Sequence, residues 1–253
     1  MPAALIWHHP PEKPVFQSNQ LHIWQINRSQ SDKTLDALWE FLSDDEKARA
    51  ERFRFPRDRN RYIAGRGAMR DILSRYVQHA PQALRFYYGL NGKPYLTTEF
   101  NSASLYFNLS HSNELALLGV FPAADIGIDI EFAREKFSGK DIAERYFSEF
   151  EISELESLPE THKVAGFFNC WTRKEAFIKA LGDGLSRPLS QFDVTLKPEA
   201  EAKLLRTEWD TEEAKKWVLQ DISVAPKYHA AVAVKAKIKA IQLWHWYAMP
   251  QKR

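Results

Sequence analysis

The sequence DIGIDIE, residues 125–131, alternates isoleucine with glycine or an acidic residue. Side chains on a β-strand alternate between two faces, so the three isoleucines predict a face turned into the core. On the other face, Asp129 and Glu131 follow Gly127, which leaves room beside two carboxylates about 7 Å apart along the strand. Paired carboxylates of this kind bind a hard cation. An edge strand with a solvated acidic face fits the same pattern, so this stretch alone leaves both interpretations open.

The second informative stretch is FFNCWTRKEAFIKAL, residues 167–181. At helical spacing, Trp171, Glu175 and Lys179 lie one turn apart on a single stripe. A Glu–Lys pair four residues apart is usually a weak surface ion pair. The aromatic runs on either side predict a largely buried helix, however, and charged side chains are seldom buried without a partner. We therefore treat Glu175 and Lys179 as candidate site residues.

Two shorter motifs carry polar side chains between apolar segments. The motif NLSHS, residues 108–112, lies between strands predicted at 106–109 and 115–121. It fits a hydrogen-bonded turn, and alternatively His111 faces a ligand as a phosphate donor or proton shuttle. The motif GKP, residues 92–94, holds a lysine at a rigid turn, where exposure to solvent is the usual state.

Periodicity and turn signals predict a mixture of helices and strands in both parts of the chain. Capping boxes start helices at Ser43 and Ser148. A proline starts a basic helix at about 56–77, and a second long helix, about 160–181, ends in glycine. After Pro122 the pattern begins again. The other predicted elements are a strand at Leu21–Ile26, a hairpin around Asn91-Gly92, a helix at Asp141–Phe147, and late strands at Phe192–Leu196, Trp217–Val224, His229–Val234 and Ile241–Trp246.

Composition and charge describe an ordinary globular chain. The 253 residues are 44% hydrophobic and 27% charged, and the single Cys170 excludes an intramolecular disulfide and a cysteine-based zinc cluster. Between Lys47 and Arg75, ten basic residues stand against three acidic ones, an excess that suits phosphates or an acidic protein partner. No stretch has the length of a membrane span, and the apolar run at residues 5–7 lacks the flanks of a signal peptide. We expect a soluble, cytoplasmic protein.

In combination these stretches resemble the 4'-phosphopantetheinyl transferases. Gly127-Ile128-Asp129 is followed, after 41 residues, by WTRKEAFIK at 171–179, and both parts match the family pattern at every defined position. The NLSHS and GKP motifs match upstream family elements in the same order. The resemblance covers residues 43–194. It is strongest to the larger, monomeric, surfactin-synthetase-activating class and, within it, to cyanobacterial members associated with heterocyst glycolipid synthesis.

The resemblance implies a fold and a reaction. The fold is α+β, with two similar halves related by a pseudo-twofold axis, here residues 1–122 and 123–253, and with coenzyme A between them. The reaction transfers 4'-phosphopantetheine from coenzyme A to a serine of an apo acyl or peptidyl carrier protein with an acidic surface, and releases 3',5'-ADP. The metal is Mg²⁺, with Mn²⁺ as an alternative. Fatty-acid, polyketide and nonribosomal-peptide carriers stay open as acceptors, and we expect a monomer that binds neither nucleic acid nor membrane.

The resemblance also assigns roles to individual residues. Asp129, Glu131 and Glu175 would bind the metal, and Glu175 would also take the proton of the serine, directly or through water. Lys179 would neutralise the pyrophosphate. At position 46, where some relatives have lysine, this chain has Glu46. The phosphates, including the 3'-phosphate, would be held by Lys93, Ser110 and His111, by Arg49 and Arg61 of the basic stretch, and, as a weaker candidate, by Lys174.

Three other functions fit parts of the pattern. A non-catalytic module that binds coenzyme A or carrier protein would not need three metal carboxylates. A magnesium-dependent nucleotide phosphohydrolase would use similar acids, but the chain contains no G-x-x-x-x-G-K-[S/T] phosphate loop. Nucleic-acid binding through the arginine-rich stretch would require stacking aromatics on the basic surface, whereas Phe53, Phe55 and Tyr62 are expected in the core.

Overall fold

The computed structural model describes residues 6–17, 19–101, 104–122, 124–134, 139–182, 184 and 187–248. Its helices are α1 (Asp32–Trp39), α2 (Asp44–Glu51), α3 (Pro56–Val77), α4 (Lys140–Tyr146), α5 (Glu149–Glu156) and α6 (Glu160–Leu181). Its strands are β1 (Trp7–His8), β2 (Gln20–Asn27), β3 (Phe86–Tyr88), β4 (Pro94–Leu96), β5 (Leu105–Ser112), β6 (Leu115–Pro122), β7 (Ile126–Phe132), β8 (Phe192–Val194), β9 (Leu204–Thr207), β10 (Val218–Asp221), β11 (Tyr228–Val234) and β12 (Ala240–His245).

The same order of elements occurs twice along the chain. A strand, three helices, a two-stranded hairpin and two further strands form a first series, β2 to β6, and a second series, β7 to β11. In each series the first strand pairs antiparallel with the last, and the last pairs antiparallel with the strand before it. The third helix has 22 residues in both series. The described residues thus form a mixed α/β fold with an internal repeat, and the boundary at 122–123 stays a prediction.

A buried ion pair recurs in the two series. Each capping box places its glutamate beneath the long helix that follows, and both glutamates are buried. Arg70 Nε donates to Glu46 Oε2 (2.6 Å) in the first series, and Lys174 Nζ lies 2.7 Å from Glu151 Oε2 in the second. Both cations also donate to backbone carbonyls of the segment after their helix. Because buried charges are stable only when paired and hydrogen-bonded, each pair ties two helices and the following segment together.

The core forms three clusters around the two main sheets. One lies between α3 and the first sheet, a second between α6 and the second sheet, and a third between the two sheets. The isoleucines of β7 belong to the third cluster and are fully buried, as the alternation predicts. The last strand, β12, crosses back to the first sheet and pairs parallel with β2 and β1. A division at 122–123 therefore leaves the C-terminal strand in the N-terminal sheet.

The NLSHS motif is part of a strand and does not form a turn. β5 continues through Ser112, and the hairpin to β6 is closed by only two residues, Asn113 and Glu114. Asn113 takes up the left-handed backbone conformation (φ 49°) that tight two-residue hairpins require and that asparagine tolerates. The prediction of a strand end at Leu109 was wrong, because the polar side chains that follow find hydrogen-bond partners on β7.

Other differences concern elements with weak sequence signals. Helix α1 and strands β1 and β9 were not predicted, and β8 and β10 are shorter than expected. Phe53 and Phe55 are exposed, at 37% and 57%, and do not lie in the core as expected. The argument from these rings against nucleic-acid binding therefore fails, and the absence of such binding stays a prediction. Among the described residues, no helix is both long and apolar enough to cross a membrane.

Candidate active site

The acidic strand β7 is held against β5 by side-chain hydrogen bonds. Ser110 Oγ donates to Asp129 Oδ1 (2.9 Å), and Ser112 Oγ donates to Glu131 Oε2 (2.9 Å). The Asn108 side chain accepts a hydrogen bond from a backbone N–H of β7 (2.9 Å). These three residues of β5 alternate along one face of the strand. Side chains of the first series therefore orient both carboxylates of the second.

Helix α6 packs directly on β7 because of a glycine. A Cβ atom at Gly127 would lie 1.9 Å from the carbonyl oxygen of Ala176 and 2.3 Å from the backbone nitrogen of Ala180. This close approach brings Lys179 Nζ to 2.6 Å from Asp129 Oδ1. The predicted functional residues of the helix and of the strand thus meet across a backbone contact that no other residue type permits without displacement.

Glu175 and Lys179 lie on the stripe that the helical spacing predicts. Lys179 Nζ donates to Ser110 Oγ (3.1 Å) and lies 4.0 Å from Glu175 Oε2. A cavity of about 310 Å³ opens beside this stripe, lined by Leu109, Ser110, His111, Asp129, Glu131, Trp171, Glu175 and Lys179. Seven of the eight residues are polar or aromatic, and three are carboxylates. The solvated-edge interpretation of DIGIDIE therefore fails for Asp129, which is only 3% exposed.

Burial and neighbouring charges shift the titration of the cavity side chains. Burial raises the pKa of Glu175, and the negative charges of Asp129 and Glu131 raise it further against the opposing effect of Lys179. The pKa of Glu131 is also raised, by burial first and then by Asp129. Burial lowers the pKa of Lys179, but Asp129 and the other carboxylates reverse this, so the net shift is upward. The raised pKa values of Glu131 and Glu175 reflect buried carboxylates that repel one another, and an added positive charge would stabilise their ionised forms.

His111 is a neutral side chain at this site. The pKa of His111 is lowered to about 4 by partial desolvation first and then by the charge of Arg28, although part of the residue is exposed to solvent. Arg28 itself is buried and donates to the backbone oxygens of Arg61 and Asn113. At neutral pH the imidazole therefore offers one N–H donor and no charge.

A larger cleft of about 680 Å³ adjoins the carboxylate cavity and shares Glu131 and Trp171 with it. Its rim is basic and its floor includes aromatic rings, and its lining is completed by Arg57, Arg61, Ser112, Asn113, Phe132, Arg134, Ile142, Phe167 and Phe168. Arg61 bonds the Asn113 side chain (3.2 Å) and pairs with Glu114, while its Nε atom is buried without a hydrogen-bond partner in the described structure. The predicted phosphate residue Arg61 thus lies at the edge of this cleft.

Three other predicted phosphate residues lie elsewhere. Lys174 is fully buried, and its ammonium bonds Glu151 and two backbone carbonyls, which differs from the expected place at the phosphates. Lys93 is buried against Asp125 and the end of α6. Arg49 is exposed, with its guanidinium 5.6 Å from the ring centre of Tyr62. None of the three lines the carboxylate cavity as far as the described residues define it.

Sequence reasoning missed the supporting residues of the site. Asn108 and Ser112 hold β7, and the charge of Arg28 adds to desolvation in lowering the pKa of His111. The alternation of Asn108, Ser110 and Ser112 was a readable signal once the segment is taken as a strand. Arg28 had no signal, because its contacts join segments 33 and 85 residues away.

Comparisons with known proteins cover most of the chain. A family profile described as 4'-phosphopantetheinyl transferase, N-terminal, matches residues 23–122, and one described as 4'-phosphopantetheinyl transferase superfamily matches residues 125–233. The 4'-phosphopantetheinyl transferase HetI of Nostoc sp. strain PCC 7120 is 38% identical over 240 residues, which cover 95% of this chain and 98% of that protein. The chain belongs to the 4'-phosphopantetheinyl transferase family. The resemblance inferred from the motifs is therefore confirmed, including its cyanobacterial character.

Other members of the transferase family are more distant. The 4'-phosphopantetheinyl transferase Sfp of Bacillus subtilis strain 168 is 31% identical over 179 residues, covering 71% of this chain and 77% of that protein. Among solved structures, the holo-[acyl-carrier-protein] synthase of Thermotoga maritima aligns at a TM-score of 0.36 and 23% identity over 45% of this chain and 64% of that one. As a 4'-phosphopantetheinyl transferase, the chain moves the phosphopantetheine arm of coenzyme A onto a carrier protein.

Proposed function

We propose that the chain performs this transfer in the cavity between β5, β7 and α6, with a divalent metal held on its carboxylates. The observation that carries the proposal is the state of Asp129. One carboxylate oxygen accepts hydrogen bonds from Ser110 and Lys179, while the other, Oδ2, is buried and has no hydrogen-bond partner in the described structure. A buried carboxylate oxygen without a partner is costly unless a ligand satisfies it.

The carboxylates fit a magnesium ion whose remaining coordination positions are filled by oxygen atoms of the substrate and by water. No group of three or more His, Cys, Asp or Glu side chains in the described part of the chain forms a metal site on its own. Magnesium is usually bound through one or two carboxylates plus substrate phosphates and water. Asp129 would hold the ion with Glu131 and Glu175, and Mn²⁺ would use the same oxygen ligands. When bound, the metal offsets the charge that develops on the pyrophosphate.

Glu175 is the proposed general base. The serine hydroxyl of the carrier attacks the β-phosphorus of coenzyme A, the phosphorus–oxygen bond to 3',5'-ADP breaks, and the hydroxyl proton passes to Glu175 directly or through one water. In the metal-free site the pKa of this carboxylate is raised, the direction that base catalysis needs, and a metal bound to the same carboxylate would lower it. Its 4.0 Å separation from Lys179 leaves the carboxylate without a tight ion pair to that lysine.

Cationic and neutral donors around the cavity would hold the phosphates. Lys179 supplies charge beside Asp129, and Ser110 supplies a hydroxyl. His111 would donate one N–H as a neutral ring, since its pKa is lowered to about 4. Arg61 lines the adjoining cleft and brings a guanidinium charge to it. Arg49 stays a candidate for the 3'-phosphate from its exposed position on α2.

The cleft that adjoins the carboxylate cavity is the proposed docking surface for an acidic carrier protein. Its arginines, Arg57, Arg61 and Arg134, border an aromatic floor that is continuous with the carboxylate cavity through Trp171. Acidic partners are steered towards such a patch at low ionic strength. All of the residues proposed for the site belong to one chain, so we expect the monomer to be active. We also expect the protein to work in the cytoplasm.

Mass spectrometry tests the proposal directly. The protein is incubated with apo carrier protein, coenzyme A and Mg²⁺, and the carrier is weighed. A gain equal to phosphopantetheine that disappears with EDTA supports transfer, whereas binding without any mass gain on several carriers points to a non-catalytic module. Release of nucleotide without a carrier points to a hydrolase. Glu175→Gln is the test variant, and Glu201→Gln, the same change at an exposed carboxylate, is its matched control.

A further inference from the structure

The hairpin of β3 and β4 contacts the two elements that carry the active site. Lys93 Nζ donates to Asp125 Oδ1 (2.7 Å) and to the backbone oxygen of Ala180 (3.4 Å). Asn91 Nδ2 donates to the backbone oxygen of Gly182 (2.9 Å), and Tyr95 donates its hydroxyl to Asp125 Oδ1 (3.2 Å). One turn of the first series thus contacts the start of β7 and the end of α6 together.

The contacts of Lys93 lie close in the sequence to Asp129 and Lys179. Asp125 immediately precedes β7, which carries Asp129. Ala180 immediately follows Lys179 on α6. Lys93 therefore bonds the chain four residues before Asp129 and the helix one residue after Lys179, the two partners of the ion pair in the cavity.

The contacts also suit the end of a helix. The last carbonyl groups of a helix lack intrahelical partners, and a cation placed there is favourable. The hairpin supplies donors to two of these carbonyls at the end of α6, one from Lys93 and one from Asn91. Lys93 is only 8% exposed, so its ammonium depends on these partners.

We propose that Lys93 and Asp125 form a clamp that positions the end of α6, and with it Lys179, against β7. Lys93 is then a positioning residue and not a phosphate ligand. This inference deepens the proposed function, since the clamp matters to catalysis only if Lys179 and Asp129 form the active site.

The two roles predict opposite effects for Asp125. If Lys93 positions α6, removal of either partner loosens the helix end and lowers the turnover number. If Lys93 binds a phosphate, Asp125→Ala frees the ammonium and keeps or tightens coenzyme A binding. Lys93→Met suits the test, because Asp125 is 42% exposed and stays hydrated when its partner is lost.

The experiment uses the full chain, an apo carrier, and both coenzyme A and 3'-dephospho-coenzyme A. We expect kcat to fall about tenfold in Lys93→Met and in Asp125→Ala, equally for both donors and with KM unchanged. The double variant should fall no further than about twofold below either single variant, because both break the same contact. Lys203→Met, the same substitution at an exposed lysine beside β9, should behave as the wild type.

Hydrogen exchange gives a readout independent of turnover. Amides of residues 176–182 should exchange about tenfold faster in both variants, because the helix end opens more often. A KM increase confined to coenzyme A and absent with the dephospho donor would overturn the clamp in favour of a phosphate contact. Unchanged kcat and exchange would also overturn it. If the wild type loads no carrier, the proposed function fails, while the exchange result still decides the clamp.

Discussion

Gly127→Ala tests whether the active site depends on direct packing of α6 on β7. The added methyl would lie 1.9 Å from the carbonyl oxygen of Ala176, 2.3 Å from the nitrogen of Ala180 and 2.9 Å from the carbonyl carbon of Lys179. All three are backbone atoms, so none can rotate away. A carbon–oxygen contact needs roughly 3.3 Å, so α6 must retreat from β7 by about 1.4 Å.

This displacement acts on the site through one short contact. Lys179 Nζ lies 2.6 Å from Asp129 Oδ1, and a retreat of this size carries the pair beyond hydrogen-bond distance. Misplacement of catalytic groups by 1 Å lowers rates by about 100-fold, so we expect a loss of at least that order in carrier loading. The overpacked core should also cost about 1–3 kcal/mol in the free energy of unfolding.

The assay combines carrier loading, followed by mass spectrometry, with urea unfolding. Gly166→Ala is the matched control, because it adds a methyl to the same helix but meets only the side-chain ends of Leu158 (2.5 Å) and Leu155 (3.3 Å). Those ends can move, and alanine favours the helix by about 1 kcal/mol over glycine, so stability and loading should change little. A Gly127→Ala protein that folds and loads carrier at the wild-type rate would refute the packing argument.

Glu175, the buried pair of Arg70 and Glu46, and Ser112 each give a further prediction. The folded-state pKa of Glu175 is raised, so its contribution to stability is present below the unfolded pKa and is lost as pH rises through the folded pKa. Glu175→Gln should therefore raise the melting temperature of the metal-free protein at pH 7 but not at pH 4. Equal melting temperatures of the variant and the wild type at pH 7 would contradict this. Arg70→Met leaves Glu46 buried with one partner fewer and should lower the free energy of unfolding by about 3–5 kcal/mol in urea titrations, with no change if the pair is not buried in solution. Ser112→Ala should weaken binding of Mn²⁺ in the presence of coenzyme A by about 10–100-fold in calorimetry, with Ser112→Thr as the control that keeps the hydroxyl; identical affinities would exclude a role in holding Glu131.

Local signals predicted the long elements of the fold well. The helices Pro56–Val77 and Glu160–Leu181 begin and end where the sequence places them, because Pro56 at the start of the first and Gly182 after the end of the second are local determinants. The alternation at 125–131 likewise predicted which face of β7 is buried. Short elements such as α1 and β9 were missed, although an N-cap serine, Ser31, starts α1 and was a readable signal.

The partners of buried charges could not be predicted. Lys93 donates to the carbonyl of Ala180, 87 residues away, and Lys174 pairs with Glu151. Both ammonium groups are therefore engaged in contacts within the protein. A lysine near a recognised motif looks the same in the sequence whether it binds a ligand or a carboxylate of its own chain. Polarity misled in the same way at Ser110 and Ser112, whose hydroxyls donate to carboxylates of β7 in the neighbouring sheet and do not face solvent in a turn.

Differences between the two series explain why the carboxylates of the candidate active site lie in the second one. Both series place a 22-residue helix over the first strand of a three-stranded arrangement, but the strands differ in what they offer that helix. β2 contributes Trp24 and Ile26, which fill the core cluster beneath α3. β7 contributes Gly127 and two carboxylates, so α6 comes close enough for Lys179 to reach Asp129. The first series then supplies the hydroxyls of β5 that orient those carboxylates. Neither series alone holds the site, because one provides the charges and the other fixes their positions.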